Sequence, residues 1–115
     1  MKPIEVVILG ARSVEPGTVR AYATRRLSFG LRRFEHRIRC VTVRLVDLNG
    51  PRKGADSRCS IMADLTDGPR IFVVATTAWP FASITRAASR LVEALRRECD
   101  RSASHRQRVA GEVSY

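Results

Sequence analysis

Cysteine, histidine, lysine and acidic side chains are all scarce in this chain, and each scarcity removes a class of function. The three cysteines are odd in number and widely spaced, which excludes a disulfide framework and a zinc-binding spacing. The two histidines, His36 and His105, form no His-x-x-x-His pair and have no evident partner. There is no Gly-x-Ser-x-Gly elbow and no phosphate-binding glycine-rich loop. Asp47, Asp56, Asp64 and Asp67 would be the only nuclease-type metal candidates, but they fall at opposite ends of the segments that carry them. No enzymatic role, metal or cofactor is expected. No apolar run approaches the ~18 residues that a membrane-spanning helix needs. Met1-Lys2-Pro3-Ile4 leads directly into a strand pattern, leaving no room for a signal peptide. A cytoplasmic protein with reduced cysteines is the expectation.

What the chain has in excess is arginine. Twenty-one Lys+Arg face eleven Asp+Glu, a formal charge of +10, and nineteen of those cations are arginine. The guanidinium is a planar fork of donors that matches phosphate oxygens and stacks on bases. A charge this high on 115 residues, enough for one domain, points first to nucleic acid. A solvated basic surface reflecting a GC-rich genome is the plainer alternative. With 44% apolar residues the chain can build an ordinary core.

The middle of the chain sets its organisation. Arg39 to Asp47 and Ser57 to Thr66 both alternate apolar and polar side chains, and the loop Asn49-Gly50-Pro51-Arg52-Lys53-Gly54-Ala55-Asp56 joins them. This pattern predicts a hairpin with a basic tip at Arg52 and Lys53. If Val43 pairs with Ile61, then Val41, Val43 and Leu45 meet Ala63, Ile61 and Cys59 on one apolar face. The other face carries Thr42, Arg44, Arg58, Ser60 and Asp64. Cys59 then lies opposite Leu45 and Cys40 opposite Asp64, so the two thiols stay apart. Cys59 reads as a core residue.

Before the hairpin, Ile4 to Leu9 reads as a strand. A helix follows, opened by Pro16 with Glu15 or Ser13 as cap and running to about Phe34. Its stripe is Val19, Ala23, Leu27 and Leu31, with Tyr22 and Phe34 alongside. Arg25 with Arg32, and Arg26 with Arg33, are seven apart and share its outer side. Gly30 weakens it by about 1 kcal/mol relative to alanine. After the hairpin, Asp67-Gly68 signals a turn and Arg70 to Thr76 a fourth strand. Its inward set is open between Ile71, Val73, Ala75 and Phe72, Val74. Pro80 opens a second helix with the stripe Phe81, Ile84, Ala88, Leu91, Leu95 and Cys99. Arg86, Arg90, Arg97 and Arg101 lie on another side. Residues 102–115 have no periodicity and read as a flexible basic tail.

The order β-α-β-β-β-α predicts an α+β domain over residues 1–101: a four-stranded sheet with two helices packed on one face. Trp79, Phe81, Phe72 and Tyr22 could stack on bases, but their positions fit strand or helix packing better. The expected binding mode is shape and backbone recognition of structured RNA by arginines of the two helices.

The element order, the loop Asn49-Gly50-Pro51-Arg52 ending in Asp56-Ser57-Arg58-Cys59, and the helix opening Pro80-Phe81-Ala82-Ser83-Ile84 resemble the ribosome hibernation-promoting factor family. That family includes ribosome-associated inhibitor A and is also called ribosomal subunit interface protein. The resemblance covers residues 4 to 101. It implies a fold related to double-stranded-RNA-binding domains and binding to 16S rRNA of the small ribosomal subunit, in the channel for mRNA and tRNA. Translation would be blocked and idle ribosomes held in hibernation, as in stationary phase or stress. Carried over by helix face, the rRNA contacts would be Arg26, Arg33, Arg86, Arg90 and Arg97. Arg25 on the first helix and Arg52 and Lys53 at the hairpin tip complete the candidate set. The chain matches a short form without the second, dimerising domain of long members, so a monomer when free is expected. No membrane or small-molecule partner is expected. Two other readings stay open: a structured-RNA-binding module without ribosome preference, and a small RNA-processing enzyme.

Overall fold

The computed structural model describes residues 4–10, 15–47, 56–66 and 68–113, with side chains up to residue 101. The basic loop tip, Ser13 and Asp67 lie outside the described residues. The elements are β1 (Ile4–Gly10), α1 (Pro16–Gly30), a 3₁₀ segment (Arg32–Arg37), β2 (Ile38–Asp47), β3 (Ser57–Leu65), β4 (Arg70–Thr77) and α2 (Pro80–Val113). The expected order β-α-β-β-β-α is what forms.

Helix α1 starts where its sequence says it should. The Glu15 carboxylate accepts from the Thr18 backbone N–H at 2.8 Å and the Thr18 hydroxyl at 3.2 Å, and Pro16 occupies the first turn. Those donors, the Thr18 amide first, hold the carboxyl of Glu15 below its ordinary range. The end differs from expectation. The α-helix stops at Gly30, where the Leu31 N–H donates to the Leu27 carbonyl at 2.9 Å, and the 3₁₀ segment takes over. At three residues per turn, Leu31 and Phe34 come onto one side, and both are buried. The tighter winding thus steers both into the core.

The sheet order is β1-β2-β3-β4, with β1 parallel to β2 and the other neighbours antiparallel. Val43 pairs with Ile61, Leu45 with Cys59 and Cys40 with Asp64, the expected hairpin register. The open question of β4 is closed by its pairing: Ile71, Val73 and Ala75 register with Ala63, Ile61 and Cys59 and so share the inward face. Phe72 therefore points to the uncovered face and is 61% exposed.

One face of the sheet carries both helices. Val19, Ala23 and Leu27 of α1 and Ile84, Ala88, Leu91 and Leu95 of α2 are buried over Val41, Val43, Leu45, Ile61 and Ala63. Each valine, leucine or isoleucine among them contributes roughly 1.5–3 kcal/mol from water exclusion. Cys59 sits in this core at 0% exposure, and burial pushes its thiol up to about 12. Cys40 lies on the opposite face, where its thiol donates to Asp64 Oδ2 at 3.3 Å. That hydrogen bond raises its pKa.

Helix α2 runs on to Val113, past the expected start of a tail at Ser102. The apolar stripe ends near Cys99, which removed the amphipathic signal. Alanine, arginine and glutamine nevertheless favour helix, no proline interrupts, and extending an existing helix needs no new nucleation.

Candidate nucleic-acid interface

The outer surfaces of α1 and α2 meet in a groove. Its two walls are joined where the Tyr22 and Thr85 hydroxyls lie 2.5 Å apart. Phe81 meets the Tyr22 ring edge-on, with centroids 5.0 Å apart at 89°, and Trp79 is 5.8 Å from Phe81. Tyr22 and Phe81 are thus tied into helix packing, as expected, while Trp79 remains 48% exposed. A methyl at Gly30 would sit 3.4 Å from Val92 Cγ2, at the edge of ordinary van der Waals contact, so Gly30 lies where α1 faces α2.

Near the start of α2 the groove is bordered by Tyr22, Phe81, Ala82, Thr85, Arg86 and Ser89. It continues between Arg26, Phe29 and Gly30 on one side and Ala88, Ser89, Val92 and Glu93 on the other. A recess on its α1 wall is lined by Tyr22, Arg25, Arg26 and Phe29. Of the candidate residues, the fold therefore brings Arg25, Arg26 and Arg86 to one feature. All three are exposed.

The remaining candidates are placed differently. Arg33 lies over the Phe34 ring with its guanidinium carbon 5.3 Å from the centroid. Arg97 is exposed on the outer side of α2. Arg90 turns away from the groove and donates to the Val74 carbonyl of β4. β4 is an edge strand, which leaves main-chain carbonyls available to a passing guanidinium. Arg101, aligned with these in the sequence, donates to Glu98 at 3.1 Å. The four arginines of the α2 stripe are thus not equivalent. Arg52 and Lys53 lie outside the described residues.

One residue that pattern reading passed over belongs to this surface. Phe29 is 71% exposed, and Arg32, read on the outer side of the helix, reaches over its ring at 5.8 Å. The signal was present: Phe29 falls two positions past Leu27, on the far side of the helix from the buried stripe. Among the described residues no three His, Cys, Asp or Glu side chains gather to hold a metal. No described helix is long and apolar enough to cross a membrane. Chemically, the groove offers several always-charged planar donors beside aromatic rings, which suits phosphates and bases.

No protein-family model and no curated protein matches the chain. Solved structures do. The N-terminal domain of Protein Y from Thermus thermophilus superposes with a TM-score of 0.65 at 24% identity, covering 84% of this chain and 98% of that one. A ribosomal subunit interface protein from Coxiella burnetii gives 0.66 at 14% identity, covering 85% and 98%. The chain has the fold of these two proteins, in agreement with the hibernation-factor resemblance carried by its loop and second-helix motifs.

Proposed function

We propose that this protein is a non-enzymatic, ribosome-associated translation inhibitor of the cytoplasm, which binds 16S rRNA of the small subunit in the mRNA and tRNA channel and promotes hibernation. The observation that carries the reading is the groove between α1 and α2, bordered by Arg25, Arg26 and Arg86 on a domain with the fold of a ribosomal subunit interface protein. Those three guanidiniums, together with the exposed Arg33 and Arg97, would neutralise rRNA phosphates without reading base edges. Co-sedimentation with purified small subunits should weaken steeply with added salt, and cell-free translation should fall as protein is added. Translation that is unchanged at saturating protein would sink the reading.

The lack of a base-reading element also suits a general structured-RNA binder. Competition separates the two. A ribosome-directed protein stays on small subunits in the presence of excess bulk duplex RNA, and a general binder is stripped off.

A further inference from the structure

Phe29 is the most exposed large apolar side chain among the described residues, at 71%, and it lies outside the core cluster. Its surroundings on the helix and the following turn are Arg25 and Arg26, four and three residues before it, and Arg32 and Arg33, three and four after it. All four arginines are exposed, and the Arg32 guanidinium carbon sits 5.8 Å from the ring centroid. Beside the ring opens the recess shared with Tyr22, Arg25 and Arg26, about 290 Å³ in volume. An apolar ring held in water within a cluster of cations is a poor surface for an apolar protein partner, because docking there would desolvate the guanidiniums. It is a good surface for nucleic acid. A base has a π-face for the phenyl ring, and its neighbouring phosphates accept from the arginines.

We propose that Phe29 is a stacking platform for one unpaired base of a structured RNA, with Arg25, Arg26 and Arg32 holding the phosphates on either side. The inference rests on the RNA-binding reading above and adds to it a requirement for an unstacked nucleotide. Glu93, the carboxylate on the opposite wall, is ion-paired with Arg96, which offsets its repulsion of the RNA.

The test uses the full chain and two labelled probes: a blunt RNA duplex, and the same duplex carrying one unpaired base as a bulge. Phe29→Ala should lose about tenfold in affinity for the bulged probe and nothing on the blunt one. Phe29→Trp should keep the preference. Because stacking releases no counterions, the dependence of log affinity on log salt should run parallel for wild type and Phe29→Ala. Equal loss on both probes, or no loss on either, overturns the stacking role. Wild-type protein that binds small subunits but not the bulged probe also overturns the stacking role, whereas wild-type protein that binds neither small subunits nor either probe overturns the RNA-binding reading itself, so the two failures are distinguishable. Thermal melting followed by circular dichroism confirms that Phe29→Ala, an exposed substitution, retains the fold.

Discussion

The Tyr22 and Thr85 hydroxyls, 2.5 Å apart, form the hydrogen bond that ties α1 to α2 at the head of the groove. Both residues are half-buried, and the Tyr22 ring also packs edge-on against Phe81. Tyr22→Phe keeps the ring and deletes only the hydroxyl. It should lower stability by about 1 kcal/mol, read as a smaller urea midpoint at unchanged slope. Adding Thr85→Val should then cost less than it does in the wild-type background, since its partner is already gone. Additive losses would show that the two hydroxyls do not interact in solution.

Much of this architecture can be read from the residues because burial imposes strict periods. Val43, Leu45, Cys59 and Ile61 alternate without a break, so their register and inward face were legible, and Val19-Ala23-Leu27 marked α1 as plainly. β4 was not legible. Ile71 to Ala75 is apolar at every position, and only its pairing with β3 separates Phe72 from its neighbours. The α1 terminus and the length of α2 were missed for a related reason. Neither the switch to 3₁₀ winding at Arg32 nor helix beyond Cys99 leaves a mark in an apolar stripe. Site placement was legible only to the level of a helix face. Arg86 and Arg90 share that face in sequence, yet one borders the groove and the other reaches a strand carbonyl, a choice made by tertiary neighbours.

That difference has a measurable consequence. Each guanidinium that neutralises a phosphate contributes about one unit to the slope of log affinity against log salt. Arg26→Gln with Arg86→Gln should flatten the slope for small-subunit binding by about two units. Arg90→Gln should change it by clearly less than one, because its side chain is engaged with Val74. Equal effects of Arg86→Gln and Arg90→Gln would show that Arg90 leaves β4 when RNA binds.

Cys59 gives the fold a dependence on alkaline pH. Its ordinary pKa of 9.0 is pushed to about 12 by burial, so the native state keeps the proton over a window where the unfolded chain releases it. Below about pH 9 both states are protonated and the thiol adds no pH dependence. As pH rises from there toward 12 the unfolded state binds fewer protons, and stability falls. Denaturant midpoints measured at pH 8 and pH 10 should therefore drop for wild type by more than for Cys59→Ala. The same burial makes Cys59 slow toward alkylating reagents in native protein and fast in denaturant. Rapid native alkylation at Cys59, located by peptide mapping, would contradict its place under the helices.

Residues 102–115 are proposed to be separable from the folded domain, although α2 continues as helix to Val113. Among the described side chains the buried set of α2 ends at Leu95, with Cys99 packed at its margin. A chain truncated after Arg101 should melt within about a degree or two of the full one, since every described core side chain is kept. Binding is another matter. The deleted segment contains Arg106 and Arg108 with Glu112 as its one acid, a net loss of positive charge. If the extended helix lies along RNA, affinity at low salt should fall and the salt slope should flatten by about one to two units. If the slope is unchanged, the segment lies away from the RNA and the electrostatic binding comes from residues before Ser102.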